Sequence, residues 1–418
     1  MAEWREVKLG SACTKIGSGA TPRGGKDAYL ESGDIFLIRS QNIYNDGFKP
    51  HGLAYISQEQ ADQLSNVVVQ ENDILLNITG DSVARTCLAP NQYLPARVNQ
   101  HVAIIRPDEK KLDSRFIRYS LTSPFMQNHM LGLAASGATR NALTKGMIES
   151  FSILCPSLSE QRAIADVLSA LDDKIELNRK MNETLEAMAR ALFKSWFMDF
   201  DPVRARMEGS KPDGLSDDLA ALFPNRLVDS PLGPIPEGWE AGCFGQIAEN
   251  FDSKRIPLSS REREKRVGQY PYHGATSVMG YVDDFLFDGI HVLIGEDGSV
   301  AREDGTPYTQ YVWGKIWVNN HAHVLRGKGS VSNEQLYIFV SQTNISGYVT
   351  GAVQPKLNQK NMNAIPMIIA PESINEAFSK IVTPLFAKLR ESTDLNIQLT
   401  AMRDTLLPKL ISGQLRVA

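Results

Sequence analysis

VNQHVAIIRP at 98–107 is answered 220 positions later by VNNHAHVLRG at 318–327, so that Asn99 and His101 fall opposite Asn319 and His321. A match of this length implies one folding unit written twice, which decides the architecture before any element is assigned. Working outward, SVAR occurs at 82–85 and again at 299–302, and WREVKLG at 4–10 has a related opening, PEGWEAGCFGQI, at 236–247. Towards the C-terminal side the offset settles at 214: Gly137 answers Gly351, Leu143 answers Leu357, Lys174 answers Lys388, Leu185 answers Leu399 and Met188 answers Met402. The order of the matches is kept while the offset shrinks, as a duplicated module with loops of different length requires.

Each copy has two parts. The first is rich in Gly, Asn and β-branched residues, with short apolar runs such as DIFLIRS, NDILLNITG, HVLIGEDG and YVWGKIWV between turn signals, and predicts short strands with loops. The second has helical spacing: Ile164, Leu168, Leu171, Ile175, Leu185, Leu192 and Trp196 in one copy, and Phe378, Ile381, Leu385, Leu389, Leu399, Leu406 and Leu410 in the other. Both predict long amphipathic helices with a coiled-coil-like seam, which Asn178 and Asn182 interrupt; an Asn there is solvated or sets register. In PSLSEQ, Ser159 can cap the first helix, with Glu160 at its positive end. Residues 201–237 hold six prolines and several glycines, a composition that predicts an extended linker.

At 418 residues, 42% hydrophobic and 22% charged, the chain suits a soluble protein of several domains. Its longest apolar runs are too short for a membrane span and its first residues carry no apolar signal core, so a cytoplasmic location is expected. Cys13, Cys87, Cys155 and Cys243 stand far apart without zinc spacing and are expected as small apolar fillers, with no metal site. A net charge of −4 weighs against a chain that grips nucleic acid alone.

PSLSEQRAIADVLSALDDKIELNRKMNETLEAMARALFKSWFMDFDPVRA at 156–205 resembles the central helical region of the specificity subunits of type I restriction-modification enzymes. The stretch at 254–298 and the closing TLLPKLISGQL look like parts of the same family. The resemblance implies an α+β protein: two duplicated α/β target-recognition domains separated by two long antiparallel coiled-coil-like helices, with pseudo-twofold symmetry. The expected segments are a first recognition domain at 1–157, a central helix at 158–200, the linker at 201–237, a second recognition domain at 238–371 and a C-terminal helix at 372–418. It further implies a non-catalytic subunit that reads an asymmetric bipartite double-stranded DNA target. Two modification subunits carrying S-adenosylmethionine are its implied partners, with restriction/translocase subunits using ATP and Mg, and no cofactor is expected on this chain. About 40 helical residues make a rod of roughly 60 Å, ample to hold two readers one DNA turn apart. Partner subunits would share the phosphate contacts, which softens the charge objection.

The alternatives are a self-contained methyltransferase or nuclease, or a DNA-binding adaptor of another defence system. Asp201-Pro202-Val203 lacks the second proline and aromatic of an amino-methyltransferase motif. No phosphate loop occurs, and Asp108 to Lys111 crowds the letters of a nuclease cluster into four residues. His321 and His323, two apart on an expected strand, share a face as a metal pair would, but no third ligand is near in sequence; a structural or DNA-facing role is favoured. Gly17-Ser18-Gly19 reads as a turn.

Side chains able to donate and accept at base edges are expected in the loops. In the first module these are Arg39, Gln41, Asn42, Asn77, Arg85, Asn99, Gln100, Arg140 and Lys145. In the second they are Arg302, Asn319, Asn320, Gln354 and Lys356, together with Lys254, Arg255 and Arg261 from a basic stretch at 254–266. Phe193, Trp196 and Phe197, in LFKSWF at a helix end, are expected to receive partner helices.

Overall fold

The computed structural model describes residues 4–22, 24–135, 141–351 and 353–417. The chain divides into two compact units, Met1–Leu177 with Leu395–Ala418, and Asn178–Asp394. Each combines one module with part of both long helices, Leu158–Phe197 and Glu372–Ile411, of 40 residues each. No described helix is long and apolar enough to cross a membrane.

In the first unit, a four-stranded sheet runs in the order Cys13–Ser18, Val102–Pro107, Ile74–Asn77, Thr86–Leu88, with antiparallel neighbours. A second sheet joins Ala54–Ile56, Ile35–Ile38, Ala96–Val98 and Val68–Val69, and Arg5–Lys8 pairs with Ser152–Cys155. The strands VAIIRP at 102–107 and ILLN at 74–77 are buried along almost their whole length, which is why they read as continuous apolar runs. Gly17 and Ser18 are strand, not turn, and Gly19 follows them where a Cβ would lie 1.7 Å from the Val98 carbonyl oxygen, so only glycine lets the chain pass beneath VNQH.

The second unit repeats the plan. Its four-stranded sheet has the order Ala248–Asn250, Ala322–Gly327, His291–Gly295, Thr309–Val312, and Glu240–Cys243 pairs with Pro366–Ile369. A short helix closes each module, Ser114–Thr122 capped by the Asp113 carboxylate and Asn333–Gln342 capped by the Ser332 hydroxyl.

The long helices begin and pair as amphipathic rods. The first is capped by Ser157, whose hydroxyl accepts from the Glu160 N–H at 3.3 Å, rather than by Ser159. Within the first unit, Glu160 binds Arg416 and Asp172 binds Arg403, so one helix ascends as the other descends. The Asn396 amide donates there to the Ile175 carbonyl at 3.1 Å. Within the second unit, the Asn182 amide donates to Thr393 Oγ1 at 3.0 Å and lies 3.4 Å from the Leu389 carbonyl oxygen. Asn178 is buried in the seam.

Two expectations are corrected. Residues 201–237 are not an extended linker: they form the helices Asp201–Met207, with Pro202 in its first turn, and Asp217–Ala221, followed by a hairpin of Leu227–Val228 with Ile235–Pro236. Val203, Leu215, Phe223 and Ile235 are buried, and Arg206 donates to the Ala220 and Phe223 carbonyls that end the second of these helices. That packing takes up most of the surface of the aromatics expected to receive a partner, and all of Trp196. Trp196, 1% exposed, meets Phe223 edge-on at 5.0 Å between ring centroids; Phe197 meets Phe378 at 5.0 Å and Phe193 meets it at 5.9 Å. Trp196 so enclosed offers a second protein no surface, whereas Phe193 and Phe197 keep an edge on an adjacent groove. Cys87 and Cys155 are buried, and burial pushes their thiols up to about 12, as apolar fillers require.

Trp196→Ala should therefore lower the stability of this chain by about 3–5 kcal/mol in chemical denaturation. Unchanged unfolding in that variant would show that the aromatic cluster is not a core.

Candidate nucleic-acid interface

In the first module the loop between Ile74–Asn77 and Thr86–Leu88, with Gly80 and Ala84 at positive φ, folds back so that the Asn77 and Ala84 backbones bond each other's side of the turn. Beside it, Ser40 and Gln41 leave the strand Ile35–Ile38, and together the two loops enclose an open cleft of about 620 Å³. Gln41, Tyr44, Thr79, Ser82, Arg85, His101 and Asn141 line it. The Arg85 guanidinium stands 4.5 Å over the Tyr44 ring, a stack that holds the cation while leaving its edge to solvent. Thr79 bonds His101, and Gln100 reaches the other nitrogen of that ring at 2.9 Å.

Several expected readers instead build the walls. Asn77 is buried and its amide ties the two loops together, donating to the Ser40 carbonyl at 2.8 Å and to Ser82 Oγ at 3.1 Å. Asn42 is buried, donates to the Lys49 and His51 carbonyls and accepts from the Arg39 N–H. Asn99 accepts from the His101 N–H. These amides are satisfied or enclosed and cannot also meet a base, so their assignment as base readers is corrected. Arg39 and Gln41 both reach the Gly52 carbonyl, Gln41 at 3.1 Å. Arg39 Nε, Asn77 Oδ1 and Gln100 Oε1 are buried polar atoms without a hydrogen-bond partner. Lys145 lies at the first position of the helix Lys145–Ser150, exposed and 3.5 Å from Glu149. Arg140 lies outside the described residues.

The second module carries the same frame with different chemistry. The turn after His291–Gly295 brings Asp297 against His321, as Thr79 meets His101 in the first copy. Beneath, the Leu357 N–H bonds the Glu296 carbonyl as the Leu143 N–H bonds the Ile78 carbonyl. Arg302 stands 5.0 Å over Tyr308 and donates to the Pro307 carbonyl at 2.6 Å. Asn319 accepts from the His321 N–H and is buried, a cap in both copies and not a reader. Arg255 is also corrected: its guanidinium is largely enclosed and donates to Glu296 at 2.7 Å and to the Ala322 carbonyl at 2.6 Å. Asn320, Arg261 and Gln354 are exposed, Lys254 lies 5.0 Å over Phe251, and Lys356 is 3.3 Å from Glu296.

His321 and His323 do not act as a pair, since the first is half exposed on Asp297 and the second is buried on Asp252. His323 Nε2 donates to the Leu357 carbonyl at 2.7 Å and Nδ1 to Asp252 at 2.5 Å. Burial opposes ionisation of Asp252, but the His323 bond and charge, with Asn250 and the Val324 N–H, outweigh it and hold the carboxyl below its ordinary range. Asp252, Glu296 and His323 place ligand atoms within 4.8 Å of one another, a spacing that can suit a cation, and Arg255 already supplies positive charge to both carboxylates.

Tyr44, Thr79, Ser82 and Asn141 were not singled out from the sequence as readers. Thr79 sits in NDILLNITG and Asn141 beside Arg140, where comparison with the second copy could have found them.

A duplicated binding module seated on paired helices defines a recognition protein assembled from two similar readers. The chain belongs to the family described as "Type I restriction modification DNA specificity domain", whose family model matches residues 1–187 and again 236–401. It is 25% identical to the type I restriction enzyme HindI specificity subunit of Haemophilus influenzae, covering 99% of this chain and 100% of that one. It is 26% identical to the MjaIX specificity subunit of Methanocaldococcus jannaschii, covering 99% and 94%. The crystal structure of a type I restriction-modification S subunit from M. genitalium has a similar fold, with a TM-score of 0.59 at 18% identity over 97% of this chain and 96% of that one. As a specificity subunit, the chain is the non-catalytic member of its system.

The second module also carries a pH dependence. His291 Nδ1 donates to the Gly289 carbonyl and Nε2 accepts from Arg326 Nε, both at 3.1 Å, which fixes a neutral ring. Burial first, then the Arg326 charge, depress it to about 4, and burial depresses His273. The folded value lies below the unfolded one of about 6.5, so this stabilisation is present above pH 6.5 and is lost as pH falls towards about 4. His291→Gln should lose less stability than the parent across that window in thermal unfolding; parallel profiles would exclude His291 as a source.

Proposed function

We propose that each module reads one half of an asymmetric bipartite DNA sequence, and that the chain carries two modification subunits, with restriction subunits joining them, on a helical frame. The recognition units are the modules at 1–157 and 238–371. The observation that carries this reading is the cleft around Gln41, Arg85, His101 and Asn141, whose frame recurs in the second module with different side chains. Asn and Gln pair best with adenine edges and Arg with guanine or phosphate, so polar side chains on an open cleft suit a duplex. Differing side chains on one frame give two different half-sites. S-adenosylmethionine, ATP and Mg belong to the partners.

In methylation-site sequencing of a host carrying this chain and its modification partner, Gln41→Ala or Asn141→Ala should relax bases in one half-site by about tenfold or more and leave the other half unaltered. A change in both halves, or in neither, would refute the assignment of the cleft.

Two apolar grooves suit a partner better than the enclosed Trp196 does. One, of about 620 Å³, lies in the first unit among Phe125, Ile153, Leu154 and Ile411, with Phe125 77% exposed. The other, of about 480 Å³, lies in the second unit among Phe197, Met198, Met367 and Ile368. Ile153, Leu154 and Phe197 correspond to Met367, Ile368 and Ile411 at the repeat offset of 214, so each copy of the module presents the same groove to one copy of the same partner. Phe125→Asp should weaken co-purification of the modification subunit while unfolding stays within about 0.5 kcal/mol of the parent; undiminished co-purification would move the docking surface elsewhere.

A further inference from the structure

Each module meets the long helices at a carboxylate, partly buried in the first unit and buried in the second. In the first unit Asp172, on the first long helix, accepts from Arg118 Nη1 at 2.9 Å, from the Tyr119 hydroxyl at 2.7 Å and from Arg403 Nη1 at 2.8 Å. Arg118 and Tyr119 belong to the module's helix and Arg403 to the second long helix, so one side chain joins three elements. In the second unit the acid comes from the other side. Glu334, 3% exposed on the module's own helix, accepts from the Tyr311 hydroxyl at 2.6 Å and from Arg390 Nη1 of the long helix at 3.3 Å. The polarity is therefore reversed between the copies: the first module offers a cation to an acid on the helices, and the second offers an acid to a cation.

Net stability is a poor reason for such contacts, because desolvating buried ions cancels most of their attraction. Apolar packing already seats each module, through Phe116 and Leu168 with Leu407 in the first unit and Ile338 with Phe386 in the second. Apolar contact tolerates a small rotation; a charge-assisted bond to a fixed lone pair does not. We propose that Asp172 and Glu334 are positioning residues that set the angle at which each module stands on the helices, and so the spacer length accepted between the half-sites, without touching DNA. The reversed polarity keys each module to its own seat: Arg115 holds on its module helix the place that Glu334 holds on the other, so in an exchanged seat Arg115 would face Arg390 and Glu334 would face Asp166, which Arg115 binds at 2.7 Å. The inference rests on the two-reader function proposed above.

The test uses the chain assembled with its modification partner, and DNA with both half-sites fixed and the spacer one pair shorter, parental or one pair longer. The parent should methylate the parental spacer by far the fastest. Glu334→Gln and Asp172→Asn should each reduce that preference about tenfold, while discrimination against a wrong base within a half-site stays within about twofold of the parent. Tyr311→Phe, which removes one bond and leaves the ring, should produce a smaller loss in the same direction and guards against a variant that fails to fold. Glu334→Arg alone should lose the preference, and Glu334→Arg with Arg390→Glu should recover it. An unaltered spacer preference in Glu334→Gln and Tyr311→Phe, or an equal fall in spacer and base discrimination, overturns the inference. A parent that methylates no bipartite site overturns the function beneath it as well, whereas a parent with such a site and unmoved variants removes the positioning role alone.

Discussion

The register of the two long helices depends on an asparagine amide in each unit. Asn396 gives its amide to the Ile175 carbonyl in the first, and Asn182 gives its amide to Thr393 and the Leu389 carbonyl in the second. The repeat offset of 214 carries Asn182 onto Asn396 and Ile175 onto Leu389, so the same contact is made twice. A seam of leucine and isoleucine alone would tolerate a slip by one heptad, which displaces a helix by about 10 Å. An amide stranded in that seam without its acceptor costs about 1–3 kcal/mol, which makes the slipped state unfavourable even when its apolar contacts are intact. Every mount then inherits this register, because Asp172 with Arg403 and Glu160 with Arg416 meet only in it.

Much of this was legible because it repeats. VNQH and VNNH and SVAR mark backbone frames that recur at the same places in both modules, and the Asn in the seam left a solvated or a register-setting role open, of which Asn182 takes the second. The linker and the aromatics were misread for one physical reason. Proline and glycine content reports which backbone conformations are allowed, as at Pro202 in a first helical turn, and is silent on whether the segment between them is buried. Whether Trp196 faces a partner or Phe223 is decided by a residue 27 positions away in sequence, in a segment whose composition gave no sign of packing. Among the candidate readers, Asn42 and Asn77 failed because an amide suited to a base edge is equally suited to stapling a loop, and the acceptor that decides between the two lies elsewhere in the chain, as Ser40 does for Asn77; Asn99 and Asn319 instead cap their own turns, each accepting from the N–H two residues on.

The acidic formal charge is a sum over the whole chain and says nothing of where the charge lies. Asp73 is wholly buried against Arg106, Asp172 lies between Arg118 and Arg403, and Asp252 and Glu296 face Arg255, His323 and Lys356. Each of these pairs withdraws a cation along with its acid, so pairing leaves the formal sum no less negative and shows only that the charge is unevenly distributed. A sum over the sequence counts them equally with surface charges, yet a nearby polyanion responds to the local field and not to that sum.

Identity between the copies then takes on a meaning opposite to its first impression. A residue that is the same in both modules must serve something both share, whereas two different half-sites have to be read by residues that differ. Asn99 and Asn319 fit the first class, since each caps the turn before its histidine. Arg85 and Arg302 fit it too, each held over a tyrosine, a posture suited to a phosphate that any sequence presents. Discrimination on the proposed reading falls instead to positions where the frame is kept and the chemistry changes. Thr79 gives way to Asp297 beside the paired histidines, Gln100 to Asn320, and Asn141 to Pro355. Thr79 offers a hydroxyl that donates and accepts, whereas an ionised Asp297 only accepts, so the same histidine presents a different hydrogen-bonding face in each module. On the proposed reading, the strings that revealed the duplication are thus the parts least able to distinguish one target from another, and specificity falls to the few cleft positions that the alignment of the two copies leaves unmatched.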